Sequence, residues 1–495
     1  MEHLYEKLTE YAKVTDYPYH MPGHKRRAFG ALSPEILRMD ITEIDGFDNL
    51  HEPEGILRSL QERAALLYGA DESFCLVGGS TCGILSAVSA ALPMGGHLLM
   101  SRNCHKSAYH AIYLRKLKVT YLMPPVMEEF GVFDAVAPEQ VRDALEKDPS
   151  IGAVLLVSPT YEGRISDIRK IAETVHSYGK ILIVDEAHGA HLGLGLTREP
   201  GCAGNSCRAG ADLVIHSLHK TLPAPTQTAL LHVNGSRVDR QLLRRYLRIY
   251  QSSSPSYLLM AGIDNALQMM EEDGDRLFVE FHRQFHQLLS ELLHKCRHLR
   301  FLTAIPDVEK AADFVNSREQ DIGKLSVFPA GCGMTGRQLY DRLRLQYHLQ
   351  PEMASDSFCL LMFTVGDTKE GYQRLLDALI EIDSQAQEQG ENSLKDIPRC
   401  GKELLTKLPA VDQMCREAWD LPGEEVPLTE CCGRTSADFI NLYPPGIPLL
   451  VPGERITKEL LAAIEGYMEQ EMNLQGVDQM HRTIRCLTEE AGRLQ

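Results

Sequence analysis

The sequence predicts an α/β protein: a mostly parallel seven-stranded sheet covered by helices, a smaller α+β domain after it, and a C-terminal lobe. Three observations carry this. Short apolar segments alternate with amphipathic helical patterns between residues 73 and 232, and the pattern then gives way to a long helical stretch over 258–298. The 495 residues amount to roughly three single-domain lengths, enough for more than one core.

Taken in order, residues 1–15 pattern as a short amphipathic helix, with Leu4, Leu8, Tyr11 and Ala12 at helical spacing, followed by a Pro/Gly/His-rich arm over 17–25. A second helical pattern over 52–70 (Ile56, Leu57, Leu60, Ala64, Leu67) runs into the apolar segment 73–77. Segment 97–100 precedes a helix near 108–116, segment 119–123 one near 138–147, and segment 153–157 one near 167–178. Segments 181–184, 213–215 and 228–232 complete the run, short and continuous as strands buried on both faces require. Strand-like segments at 324–329 and 358–365, with helices near 335–347 and 369–382, make the α+β domain. The polar stretch 384–395 is the expected linker. The expected boundaries are 1–50 for an N-terminal helix and arm, 51–260 for the large domain, 261–390 for the small domain and 391–495 for the C-terminal domain.

Composition narrows the function. Lys and Arg number 51 against 68 Asp and Glu, and a formal charge of −17 with no basic stripe disfavours nucleic acid. There is no signal-peptide pattern, and runs such as 151–157 are too short to cross a bilayer, so a cytoplasmic protein without a membrane partner is expected. Thirteen cysteines without a CxxC pair suggest reduced thiols and no zinc site.

Three segments carry chemistry. Gly78-Gly79-Ser80-Thr81-Cys82-Gly83 follows a predicted strand and opens an apolar helical run. Glycines permit close backbone approach, a helix start leaves N–H groups unpaired, and Ser80 and Thr81 add hydroxyls, a grammar for cradling phosphate that a plain capped turn shares. The absence of a Gly-x-x-x-x-Gly-Lys-[Ser/Thr] loop removes the nucleoside-triphosphate version. Asp185-Glu186-Ala187-His188 places an acid immediately after a buried strand, at the sheet edge where α/β ligands bind. Helicases use the same four letters, but with the triphosphate loop this chain lacks, and the metal alternative, Asp185 with His188 and His191, has no second ligand cluster to support it. Ser217-Leu218-His219-Lys220 sets a lysine just past another strand, with Leu218 and Leu222 to lower the local polarity, although an ordinary solvated lysine reads the same way. An anion cradle, a strand-end acid and an amine in this order meet the needs of pyridoxal 5′-phosphate (PLP).

At this point the chain resembles the fold-type-I, PLP-dependent ornithine/lysine/arginine decarboxylase family, in its short form without the N-terminal wing domain. The resemblance runs through Met21-Pro22-Gly23-His24-Lys25, Asp48-Asn49-Leu50-His51, Gly79-Ser80-Thr81, Arg102-Asn103-Cys104-His105-Lys106-Ser107, Pro159-Thr160-Tyr161, Asp185 to His191, Ser217 to Lys220, Ser254-Pro255-Ser256-Tyr257 and Tyr443-Pro444-Pro445-Gly446-Ile447-Pro448. Ser101 and Gly78 depart from the family pattern without removing a required chemical group. The resemblance implies an aspartate aminotransferase-like large domain. It assigns Lys220 to the Schiff base, Asp185 to the pyridine N–H, His105 to one ring face and Ala187 to the other. Gly79, Ser80, Thr81, Ser217 and His219 go to the phosphate, Thr160 to the ring hydroxyl and His188 to the cofactor's other edge, where a structural core histidine is the competing reading. It also implies a homodimer or higher homo-oligomer, with Tyr257 near the partner.

The implied reaction is α-decarboxylation of lysine, ornithine or arginine through a Schiff base and a quinonoid intermediate, giving a diamine or agmatine. A basic side chain needs a carboxylate partner, for which Glu352 and Asp356 are the candidates, with Asp45 and Asp48 behind them. The alternatives are a fold-type-I aminotransferase or lyase, or a catalytically silent PLP-binding protein.

Overall fold

A computed structural model describes residues 2–14, 16–27, 33–195, 204–302, 320–386, 407–443 and 446–492. The expected linker, from residue 387 onward, lies outside the described residues. Seven strands form one sheet: β1 (Glu72–Leu76), β2 (His97–Ser101), β3 (Lys118–Leu122), β4 (Ala153–Val157), β5 (Ile181–Asp185), β6 (Leu213–Ser217) and β7 (Ala229–Val233), in the order β1-β7-β6-β5-β4-β2-β3. Each corresponds to one of the seven apolar segments of the sequence. β2/β3, β4/β5 and β5/β6 pair in parallel, whereas β7 runs antiparallel to both β6 and β1. Leu182, Ile183 and Val184 of β5 and Leu213, Val214 and Ile215 of β6 are wholly buried, the burial that an unbroken apolar run foretells. Because β5 and β6 are parallel, with Asp185 opposite Ile215, their carboxyl ends deliver Asp185 and Ser217 to the same edge of the sheet.

The chain comprises two compact units, residues 1–93, 152–158 and 168–280, and residues 94–151, 159–167 and 281–495. In the first, helices Ile56–Tyr68, Gly79–Ala91, Ile168–Ser177, Arg240–Tyr250 and Tyr257–Glu272 accompany strands β1 and β4 to β7. The helix Gly79–Ala91 comes so close to the strands that a Cβ on Gly83 would sit 2.7 Å from Leu76 Cδ1 and 3.1 Å from Ile215 Cγ2, so a larger residue there would force those side chains to shift. The N-terminal helix Leu4–Tyr11 is fastened through the buried Asp264, which accepts the Leu4 N–H and pairs with Arg63 at 2.6 Å. The long helical stretch of the sequence reading is two helices, Tyr257–Glu272 and Gly274–Lys295, separated at Asp273, where an Asp-Gly pair of low helix propensity breaks the run.

In the second unit, Arg300–Leu302, Lys324–Phe328, Cys359–Met362 and Met353–Ala354 form a four-stranded antiparallel sheet. Its C-terminal part holds two three-stranded sheets and the helix Lys458–Glu469, closed on a core of Ile440, Leu450, Leu460, Ile464 and Ile484. Arg102 is buried here and pairs with the equally buried Glu454 at 3.0 Å, donating also to the Tyr109 hydroxyl and the Pro448 carbonyl. Glu454→Ala leaves that guanidinium unpaired in the interior, with an expected loss of about 3–5 kcal/mol in urea unfolding. Arg58→Ala, which breaks an exposed pair with Glu62, is expected to cost less than about 1 kcal/mol. Equal losses in the two variants would contradict this contrast. Among the described residues no helix is long and apolar enough to cross a membrane.

Candidate active site

The site is built from the carboxyl ends of β5 and β6. Asp185 ends β5 and is buried; its carboxylate accepts the Ala187 N–H at 3.2 Å, a contact set by the tight turn after the strand. Burial pushes its acidity toward the protonated form, while the charge of Lys220 and the Ala187 N–H pull the other way. Ala187, also buried, has no side chain beyond Cβ to fill the space beside this acid.

Beyond β6 the chain turns at once into the four-residue helix Leu218–Thr221, which carries His219 and Lys220, both half-buried. Lys220 Nζ lies 3.0 Å from His188 Nε2, so the ammonium donates to an unprotonated ring nitrogen. Sequence reasoning listed His188 without this partner, because 32 residues separate the pair and only the parallel pairing of β5 and β6 brings them together. His219 Nδ1 donates to the Thr228 carbonyl at 2.9 Å, which fixes its tautomer, and burial holds the ring below the usual histidine range.

Ser217 is wholly buried and its Oγ has no hydrogen-bond partner among the described residues. A buried unsatisfied hydroxyl is costly, which fits a position reserved for a ligand. In the same unit the helix Gly79–Ala91 starts without a side-chain cap, Gly79 takes φ +70°, Ser80 is half-buried and Thr81 is exposed. These donors suit a phosphate, and the Asp185–Lys220 pair suits a pyridine nitrogen and an aldehyde.

Of the remaining predicted residues, His105, Thr160, Glu352 and Asp356 belong to the second unit, and Asp48 and Tyr257 to the first. His105 caps the helix Lys106–Leu114, its Nδ1 accepting the Ser107 N–H, and a Cβ on Gly446 would stand 3.6 Å from its Cδ2. Thr160 is buried in a turn that it closes itself, its Oγ1 accepting the Arg164 N–H at 3.1 Å. Glu352 is exposed and accepts a hydrogen bond from the Tyr161 hydroxyl, whereas Asp356 is buried. Asp48 is committed elsewhere. Although burial opposes it, backbone N–H groups of Asn49, Glu54, Gly55 and Leu57 hold its carboxylate below the usual range at the start of the helix Ile56–Tyr68. Tyr257 is buried in its own unit, its hydroxyl donating to the Asp48 carbonyl.

A strand-end acid, a lysine on the turn after the neighbouring strand and a buried hydroxyl without a partner among the described residues mark the carboxyl ends of β5 and β6 as the candidate active site of an α/β enzyme. Comparison with known proteins gives the family. Residues 2–322 match the Orn/Lys/Arg decarboxylase major domain and residues 402–478 the C-terminal domain of the same family. An uncharacterized protein of Bacillus subtilis (strain 168), YaaO, is 34% identical over 96% of this chain and 95% of its own length. An arginine decarboxylase of the same organism is 30% identical, with 98% of each chain covered. In structure, lysine decarboxylase A from Pseudomonas aeruginosa aligns with a TM-score of 0.81 at 21% identity, covering 98% of this chain and 80% of that one. The chain belongs to the Orn/Lys/Arg decarboxylase family and is an amino acid decarboxylase. The fold-type-I architecture expected from the sequence is the one observed.

Proposed function

We propose that the chain is a PLP-dependent α-decarboxylase of basic amino acids. The juxtaposition of Lys220, His188 and Asp185 beside the unpartnered Ser217 hydroxyl is the observation that carries this reading. When bound, PLP supplies the carbonyl that takes the amine and the sink for the electron pair left when the carboxylate departs.

The protein's own part is proton and charge management. Lys220 Nζ is the amine, and His188 Nε2 takes a proton from it, exposing the lone pair. Asp185 would present its carboxylate to the ring N–H, the Lys220 charge and the Ala187 N–H opposing the shift toward the protonated form that burial imposes. Ser217 Oγ, His219, Ser80, Thr81 and the N–H groups after Gly79 hold the phosphate. By the family resemblance, His105 and Ala187 would pack against the cofactor ring and Thr160 would hold its hydroxyl. Once carbon dioxide has left, Lys220 Nζ or His188 returns a proton to the substrate Cα.

The distal cation of the substrate is assigned to Glu352, oriented by Tyr161, with Asp356 as the second candidate. Among named relatives, the arginine decarboxylases stand at 28–30% identity and the lysine decarboxylases at 22–24%, which supports arginine first and lysine second. A homodimer is the proposed working form.

Carbon dioxide release from arginine, lysine and ornithine, with product identification by mass spectrometry, tests the reading. Agmatine or a diamine is the expected product. A keto acid would redirect the assignment to transamination. PLP retained on borohydride reduction without turnover of any of the three would leave a silent binding protein.

A further inference from the structure

Behind Asp185 lies a chain of polar side chains that the proposed reaction leaves unused. Glu186 Oε2 is 2.7 Å from His216 Nε2, His216 Nδ1 is 3.0 Å from His232 Nε2, and His232 Nδ1 is 2.6 Å from Ser73 Oγ. The order follows from the sheet. Ser73 on β1 faces His232 on β7, and Leu230, two residues before His232, faces His216 on β6, so the three side chains share one face. Glu186 follows β5, anchored by its N–H to the Ile215 carbonyl. Both histidines are 0% exposed, and Glu186 and Ser73 2%. The Tyr68 ring covers the pair of imidazoles at 4.6 and 4.9 Å, and Ser206 donates through its N–H and hydroxyl to Glu186.

Such a chain satisfies every atom in two ways that differ by one proton. In the first, Glu186 carries a proton and donates to His216 Nε2, His216 Nδ1–H donates to His232 Nε2, and His232 Nδ1–H donates to Ser73. In the second, the Ser73 hydroxyl donates to His232 Nδ1, both rings carry Nε2–H, and His216 donates to an ionised Glu186. Passing from the second to the first adds one proton to Glu186, moves one proton within each ring system from Nε2 to Nδ1 and turns the Ser73 hydroxyl, with no other bond altered.

The neighbouring acid decides between them. Asp185 and Glu186 are consecutive buried carboxyls, and a charge on one opposes ionisation of the other. Asp185 accepts the Ala187 N–H and faces the Lys220 charge, while Glu186 Oε2 faces a ring nitrogen able to accept. We infer that Glu186 holds a proton donated into the His216–His232–Ser73 chain, so that the acid pair carries a single negative charge, located on Asp185. The inference rests on the function proposed above in taking Asp185 as the cofactor acid. The titratable groups around Glu186 point the same way. Burial, opposed by Ser206 and by His191, pushes Glu186 up to about 8, and burial lowers His216 to about 3 and His232 well below the ordinary value. The nearby Cys207 and Tyr68 are both pushed up by burial and so remain uncharged.

The test reads the tautomers directly, in the full chain labelled with 15N-histidine and free of cofactor, the two rings being assigned with H216N and H232N. At neutral pH both are expected as neutral Nδ1–H tautomers. Nε2–H tautomers on both rings, or an imidazolium on either, would overturn the inference, and they do so whether or not the chain binds PLP. The second measurement is the PLP dissociation constant of E186Q, whose amide N–H replaces the carboxyl O–H. It is expected within about threefold of the parent, since a neutral group replaces a neutral group. A loss beyond about tenfold, one pKa unit's worth, would show that the charge of Glu186 matters and count against the inference. A parent chain that binds no PLP would instead sink the proposed function, leaving the tautomers to decide the proton's place.

Discussion

Lys220→Ala is expected to lower carbon dioxide release from basic amino acids by on the order of 10⁴-fold or more, the loss typical of removing a nucleophile outright. The side chain is half-buried on a four-residue helix, and its removal leaves His188 Nε2 without an ammonium to accept from. Leu218 and Thr221, which anchor that helix, are buried independently of it, so the variant is expected to fold with an unchanged circular dichroism spectrum. Borohydride treatment followed by mass spectrometry should find a pyridoxyl adduct on the parent and none on the variant. Turnover at the parental rate would remove Lys220 from the chemistry altogether.

Asp185→Asn is expected to cut kcat by on the order of 10²–10³-fold, a range set by the loss of one preorganised charge in a dry site. Asparagine keeps the shape and still accepts the Ala187 N–H, so cofactor affinity should fall far less than the rate. The carboxylate's assigned task is to hold a proton on a ring nitrogen, and a neutral amide holds it poorly. Equal losses in affinity and in rate would reassign Asp185 to binding alone.

These two residues were legible because each sits where a strand's apolar run stops. The four apolar residues Ile181 to Val184 announce a strand buried on both faces, and a carboxylate directly after them has no reason to be there on packing grounds. Lys220 follows another such run by one short turn. The proposed phosphate cradle stands out in the sequence for a similar reason, as a glycine-rich strand-to-helix junction. The break at Asp273–Gly274 was not, since a helical period continues on either side of it and the pattern alone does not register one weak pair of residues.

Other assignments needed the fold. Asp48 looked like any acid of the N-terminal arm until its oxygens were found on five backbone N–H groups. Glu352 and Tyr161, 191 residues apart, meet only after the second unit has folded. His216 and His232 are polar interruptions in apolar strands, and nothing local says that Ser73 and Glu186 complete their chain.

By itself the sequence determined the α/β class, the seven strands and the family, because apolar period, turn residues and motif order are properties of short stretches of chain. The tertiary structure alone decided which strand lies beside which, and therefore that His188 meets Lys220 and that a buried hydrogen-bonded chain ends at Glu186. Strand order is fixed by burying every apolar face at once, a condition on the whole sheet that no single segment contains.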